Sequence, residues 1–147
     1  MDMSAPQTPD TVTALRLWRT SAVLTWVIAA GFGLPTVPVA VYVLRWRQLP
    51  WLFDMFTMYG GPVDAWVGPT GYALLLLLFG VVALAETAVG VLLWRGRPAG
   101  AIWSLALLPV EIAFWVGFAL PFPPMFAAVR VTLTLFAWSR TRRDAAR

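Results

Sequence analysis

The chain contains no cysteine, no histidine and, because all eleven basic residues are arginine, no lysine. Without cysteine there can be no disulfides, thiolate nucleophiles or sulfur-ligated metals. Without histidine the commonest general base and the commonest metal ligand are missing. Charge is scarce as well: Asp, Glu, Lys and Arg make up 12% of the residues, against about 25% in soluble domains. What is present in excess is apolar surface, with 60% of 147 residues hydrophobic where soluble domains have about 45–50%. Such a chain belongs in lipid. No nucleophile, metal or phosphate motif occurs, so enzymatic chemistry is disfavoured and no cofactor is expected. The net charge of +4 comes from arginines clustered at the ends of apolar runs, which speaks for membrane topology and against a nucleic-acid partner.

The pattern predicts an all-α fold: one polytopic domain over residues 1–147, a four-transmembrane-helix bundle with a short interfacial helix in the loop after helix 1. Residues 1–15, which include the polar "MDMSAPQTPDTV", read as a disordered arm. From Thr20 to Leu44 no charge appears, a span of about 37 Å as a helix, longer than the hydrocarbon core of about 30 Å. This length, and the spans that follow, argue for an uncleaved anchor rather than a signal peptide. Pro35 and Pro38 loosen its outer half, and an alternative is a helix that stops near Leu34 and restarts. The other spans fall at about 71–94, 99–120 and 124–139, followed by a basic tail at 140–147. In the long loop, Trp51, Leu52, Met55, Phe56 and Tyr59 recur at helical spacing between Pro50 and Gly60-Gly61-Pro62, the mark of an interfacial helix. Asp54 and Tyr59 are its candidate lid residues.

Orientation follows from arginine. One side collects Arg16, Arg19, Arg95, Arg97, Arg140, Arg142, Arg143 and Arg147, leaving Arg45 and Arg47 opposite. The positive-inside rule then places both termini in the cytoplasm of a multi-pass cell-membrane protein. Trp18, Trp46, Trp94 and Trp138 fall beside these arginines as an aromatic belt.

Three ionisable residues remain inside the spans: Glu86, Glu111 and Arg130. Counted from the cytoplasmic helix ends they lie about 12, 18 and 14 Å deep, within one slab. Each costs about 2.5–3.5 kcal/mol on insertion if unpaired, so they are expected to face inward and meet. Two carboxylates and one guanidinium leave a net negative charge, so one acid is expected to hold a proton or to share one with the other. Ser104, Trp115 and Phe118 share the helix face of Glu111. Thr87 lies beside Glu86 on a side made of small residues. Pro109 opens the backbone one turn below Glu111. Glu86, Glu111, Arg130, Ser104, Thr87, Trp115 and Phe118 are the candidate ligand-binding or polar layer. A purely structural interhelical clamp is the simplest reading, and Arg130 alone has a second, snorkelling to the headgroups.

The segments "FTMYGGP", "GVLLWRGRPAGAIWSLALLPVEIAFWVGFALPFPP" and "RVTLTLFAW" resemble small four-helix integral membrane proteins of actinobacteria with DoxX-like organisation. The likeness in organisation rests on the four expected spans, the long outer loop after the first and the carboxylate in the second. A similar layout occurs in the EXPERA sterol-isomerase and sigma-2-like proteins, whose buried acids face a ligand cavity; no catalytic residue is carried over from them. Function is therefore expected to be binding of a small hydrophobic or amphiphilic ligand, or service as a membrane partner subunit. The alternatives are a proton-coupled carrier or channel using Glu86 and Glu111, and a lipid isomerase. The expected partners are membrane lipids and such a ligand, with homo- or hetero-oligomeric assembly left open.

Overall fold

The computed structural model describes residues 9–145. Its elements are α1 (Pro9–Ile28), a π-helical turn (Ala29–Gly33), α2 (Thr36–Trp46), β1 (Trp51–Leu52), β2 (Phe56–Thr57), α3 (Asp64–Trp94), α4 (Pro98–Gly117) and α5 (Pro123–Ala145). Three helical stretches are long and apolar enough to cross a membrane: Val12–Trp46, Asp64–Trp94 and Pro98–Gly117. α5, with Arg130 inside and Arg142 and Arg143 in its last turn, is not one of them.

The first helix starts earlier than expected. Residues 9–15, assigned above to the arm, belong to α1; residues 1–8 lie outside the described chain. Proline is tolerated in a first helical turn, where its missing amide has no partner to lose. Ala14, Trp18 and Ala22 then continue one buried face at four-residue spacing, so the helix has packing along its whole inner length. The same contact lengthens α5. The expected tail from 140 is helical through Ala145, held by the Trp18 indole donating to Thr141 Oγ1 at 3.3 Å.

Between α1 and α2 the chain does break near Leu34, as the alternative reading allowed. Pro35 and Pro38 carry no amide, which frees carbonyls that lipid cannot satisfy. Side chains bond other carbonyls beside the break: Thr36 Oγ1 donates to the Gly33 carbonyl at 2.6 Å, and Tyr59 Oη donates to the Phe32 carbonyl at 2.5 Å. At this break α3 comes very close. A Cβ on Gly33 would sit 2.4 Å from that of Ala83.

Residues 51–59 do not form the expected interfacial helix. Trp51 pairs with Thr57 and Leu52 with Phe56 in a two-residue antiparallel ladder, turned at Phe53 and Asp54, whose φ values are 52° and 56°. Two successive residues at positive φ make the hairpin turn whose twist suits antiparallel strands. Tyr59 then enters the bundle and is buried, while Asp54 stays exposed at the hairpin tip.

α3 is the central element, in contact with α1, the π turn, α2 and α4, and α5 closes the bundle against α1 and α4. The interior has two apolar cores. One, towards the hairpin, includes Val39, Tyr59, Tyr72, Leu76, Phe79, Trp115 and Phe118. The other, at the opposite end, includes Trp18, Ala22, Val89, Leu93, Ala101 and Ala137. The outer surface is also apolar, with Leu34, Leu74, Leu84, Ile102, Val116 and Phe136 all exposed. Contiguous exposed apolar surface on this scale is foreign to monomeric soluble proteins and normal where the solvent is lipid.

Candidate functional site: a polar layer between two apolar cores

Between the two cores α3, α4 and α5 each contribute one ionisable side chain. Glu86 is 3% exposed, Glu111 1% and Arg130 1%. Arg130 Nη1 donates to Glu86 Oε1 at 3.1 Å and Nη2 to Glu111 Oε2 at 2.7 Å, so one guanidinium ties three helices. Only arginine suits this position. Its planar fork presents two donors in fixed directions, whereas an ammonium is a single point charge. The contact also answers the snorkelling alternative: Arg130 is turned inward.

α1 completes the layer with hydroxyls that the sequence reading did not single out. Ser21 Oγ and Thr134 Oγ1 lie 2.6 Å apart, with Ser21 Oγ 3.3 Å from the Arg130 carbonyl. Thr25 Oγ1 donates to the Ser21 carbonyl at 2.9 Å. A signal existed: Ser21 and Thr25 sit four apart in an uncharged run, and Thr134 follows Arg130 by four, so each pair shares a helix face. Three enclosed polar atoms have no partner among the described residues, namely Glu111 Oε1, Arg130 Nε and Ser104 Oγ.

The remaining candidates are spread over other parts of the molecule. Thr87 is exposed; its hydroxyl donates to the Ala83 carbonyl at 2.9 Å and its own carbonyl accepts from Trp26 Nε1 at 3.1 Å. Trp115 and Phe118 belong to the hairpin-side core. Phe118 packs against Tyr59, Tyr72, Phe79 and Phe114 with ring centroids 5.4–5.7 Å apart, the separation at which edge and tilted aromatic contacts are favourable. Tyr72 and Phe79 in this cluster were not foreseen. Of the two lid candidates, Asp54 covers nothing. Tyr59 instead acts as a clip: its hydroxyl holds the π turn, and its carbonyl accepts a hydrogen bond from Tyr72 Oη. Burial pushes the Tyr59 phenol well above its ordinary pKa, which keeps it a neutral donor.

Among the described residues no group of three His, Cys, Asp or Glu side chains could hold a metal ion. Three grooves of about 800, 810 and 440 Å³ open on the bundle, and neither carboxylate nor Arg130 lines any of them. Comparison with known protein families, curated proteins and solved structures finds no match. Fold and site together define a class: a helical bundle built for an apolar solvent, with an enclosed ion triad at its middle.

Proposed function

We propose that this chain is a non-catalytic, four-span protein of the cell membrane that binds a small hydrophobic or amphiphilic molecule from the bilayer, alone or as the partner subunit of another membrane protein. One observation carries this reading. The groups able to do acid–base chemistry are enclosed and engaged with one another, whereas the open volumes are lined by apolar side chains. The isomerase alternative needs both acids facing a cavity, and neither lines these three grooves. α5 is the fourth span in this proposal; its 23 residues reach about 34 Å. Both termini are cytoplasmic, on the strength of the arginine distribution. The DoxX-like organisation belongs to the same proposal, supported by the long loop after the first helical stretch and by Glu86 on the second.

The test is photolabelling of the protein in phospholipid vesicles with a diazirine fatty acid, read by peptide mass spectrometry. Label is expected to concentrate on groove residues such as Ala29, Val110, Ile112 and Ala128. Equal labelling of Leu74, Leu78 and Ile102, which are exposed outside the grooves, would overturn the reading.

A proton-coupled carrier remains as a second reading because Glu111 Oε1, Arg130 Nε and Ser104 Oγ lack partners among the described residues, as groups served by internal water do. It requires solute flux that depends on pH in reconstituted vesicles and that drops in Glu111→Gln. Flux that is absent, or equal in the variant, removes it.

A further inference from the structure

The groove between α4 and α5 has a volume of about 800 Å³, well within the range of sites that enclose a small ligand. Ile112, Val116 and Leu120 form one wall and Pro124, Ala128 and Val131 the other. Trp115 also lines it, although the residue is only 4% exposed. The indole N–H groups that donate to described residues are those of Trp18 and Trp26, and that of Trp115 is not among them. It is not one of the enclosed unpartnered atoms either, which are Ser104 Oγ, Glu111 Oε1 and Arg130 Nε, so it is not sealed inside the bundle, and this groove is the open volume that Trp115 lines. The Thr132 hydroxyl on the same wall is committed to the Ala128 carbonyl at 2.8 Å. Trp115 is thus the free side-chain donor in an otherwise apolar trough.

Depth decides what that donor meets. Trp115 lies two residues before the end of α4 at Gly117, about 3 Å along the axis. A donor at the end of a membrane helix sits at the level of lipid esters and headgroups, where tryptophan is favoured because its N–H can reach them. A second copy of the chain would bring a helix face whose carbonyls are already bonded within their own helix. We propose that this groove holds an acyl chain of a glycerophospholipid and that the ester carbonyl of that chain accepts the Trp115 Nε1 hydrogen bond. This rests on the ligand-binding reading above and names its ligand class.

The full chain, purified in detergent, is offered equimolar diester and diether phosphatidylglycerols of equal chain length, and the retained lipid is counted by native mass spectrometry. The ether lipid lacks the carbonyl. The wild type is expected to retain the diester form about fivefold over the diether form, the ratio set by one hydrogen bond of ordinary strength. Trp115→Phe should bring that ratio to about one. Ala128→Trp, which fills the groove from an exposed wall position, should lower retention of both lipids at least tenfold, whether or not Trp115→Phe folds. Equal retention by the wild type, lost in Ala128→Trp, would overturn the carbonyl contact and leave the ligand reading standing. Retention and ratio unaffected by Ala128→Trp would overturn the groove as the site. Lipid-free dimers that disappear in Ala128→Trp would give the groove to a second copy and overturn the proposal. No retained lipid at all would overturn both readings.

Discussion

Arg130→Met removes the only guanidinium among the described residues that touches Glu86 and Glu111 and replaces it with a flexible apolar chain, leaving two enclosed acids without their donor. Removing one partner of a buried ion pair costs about 3–5 kcal/mol. Single interhelical hydrogen bonds in membranes measure lower, about 0.6–2 kcal/mol, because helices separated in lipid also find partners. Here one donor serves two acids, both below 4% exposed, so the upper range applies. A chain of this length loses about 2–4 °C in melting temperature per kcal/mol, which gives a drop of about 6–20 °C. The assay is thermal unfolding in detergent micelles, followed by the intrinsic fluorescence of the nine tryptophans. The triple variant Arg130→Met, Glu86→Gln, Glu111→Gln should recover more than half of the loss, because what destabilises the single variant is the acids left behind rather than the missing bond. A single variant melting within about 2 °C of the wild type would refute the argument. So would a triple variant as unstable as the single.

Gly33→Ala places a methyl group 2.4 Å from the Ala83 Cβ and should cost about 1–3 kcal/mol by overpacking; adding Ala83→Gly should restore most of the melting temperature. Ser21→Ala removes the contact to Thr134 and leaves that buried hydroxyl with one partner fewer, a loss of about 1–3 kcal/mol to be read in the same assay. Tyr59→Phe should free the hairpin from the π turn, seen as faster proteolysis between residues 47 and 63 with the helices still folded. Tyr59 also makes a prediction about pH. Its folded pKa is raised, so above the unfolded value of about 10 the unfolded chain holds fewer protons than the folded one. Stability then falls as pH rises through and beyond that value, and Tyr59→Phe should flatten the alkaline slope of the melting curve.

The layer of Glu86, Glu111 and Arg130 was legible because the bilayer leaves little choice: charges at one depth on neighbouring helices are expensive apart and tolerable together. Depth counting needs only a helix rise and helix ends, and both are visible in an apolar sequence with arginine borders. The hairpin was not legible, because Trp51, Leu52, Met55, Phe56 and Tyr59 happen to fit a helical period while the turn at Phe53–Asp54 carries no glycine to announce its positive φ values. A β ladder of two residues is too short for its alternation to compete with that coincidence. The ends of α1 and α5 were misread for a different reason. Arg16, Arg19, Arg140 and Arg142 mark where the apolar run stops, not where helix stops, and beside them Trp18 and Thr141 still hold the two helices together. Ser21, Thr25 and Thr134 escaped attention because a lone hydroxyl in an apolar helix can bond its own backbone. Thr25 does so, and only the arrangement of the helices shows which hydroxyls reach across.

The placement of the triad along the chain has a consequence for biogenesis. Both acids belong to helices made before α5, and their counter-ion is 44 residues downstream of Glu86 and 19 downstream of Glu111. Chains are made from the N-terminus and begin to fold in that order, so α3 and α4 are made before the donor that their two acids share. Copies cut short before Arg130 would keep Glu86 and Glu111 without the donor they share. The contact that joins three helices is therefore the last of the layer to form, because it needs the C-terminal helix.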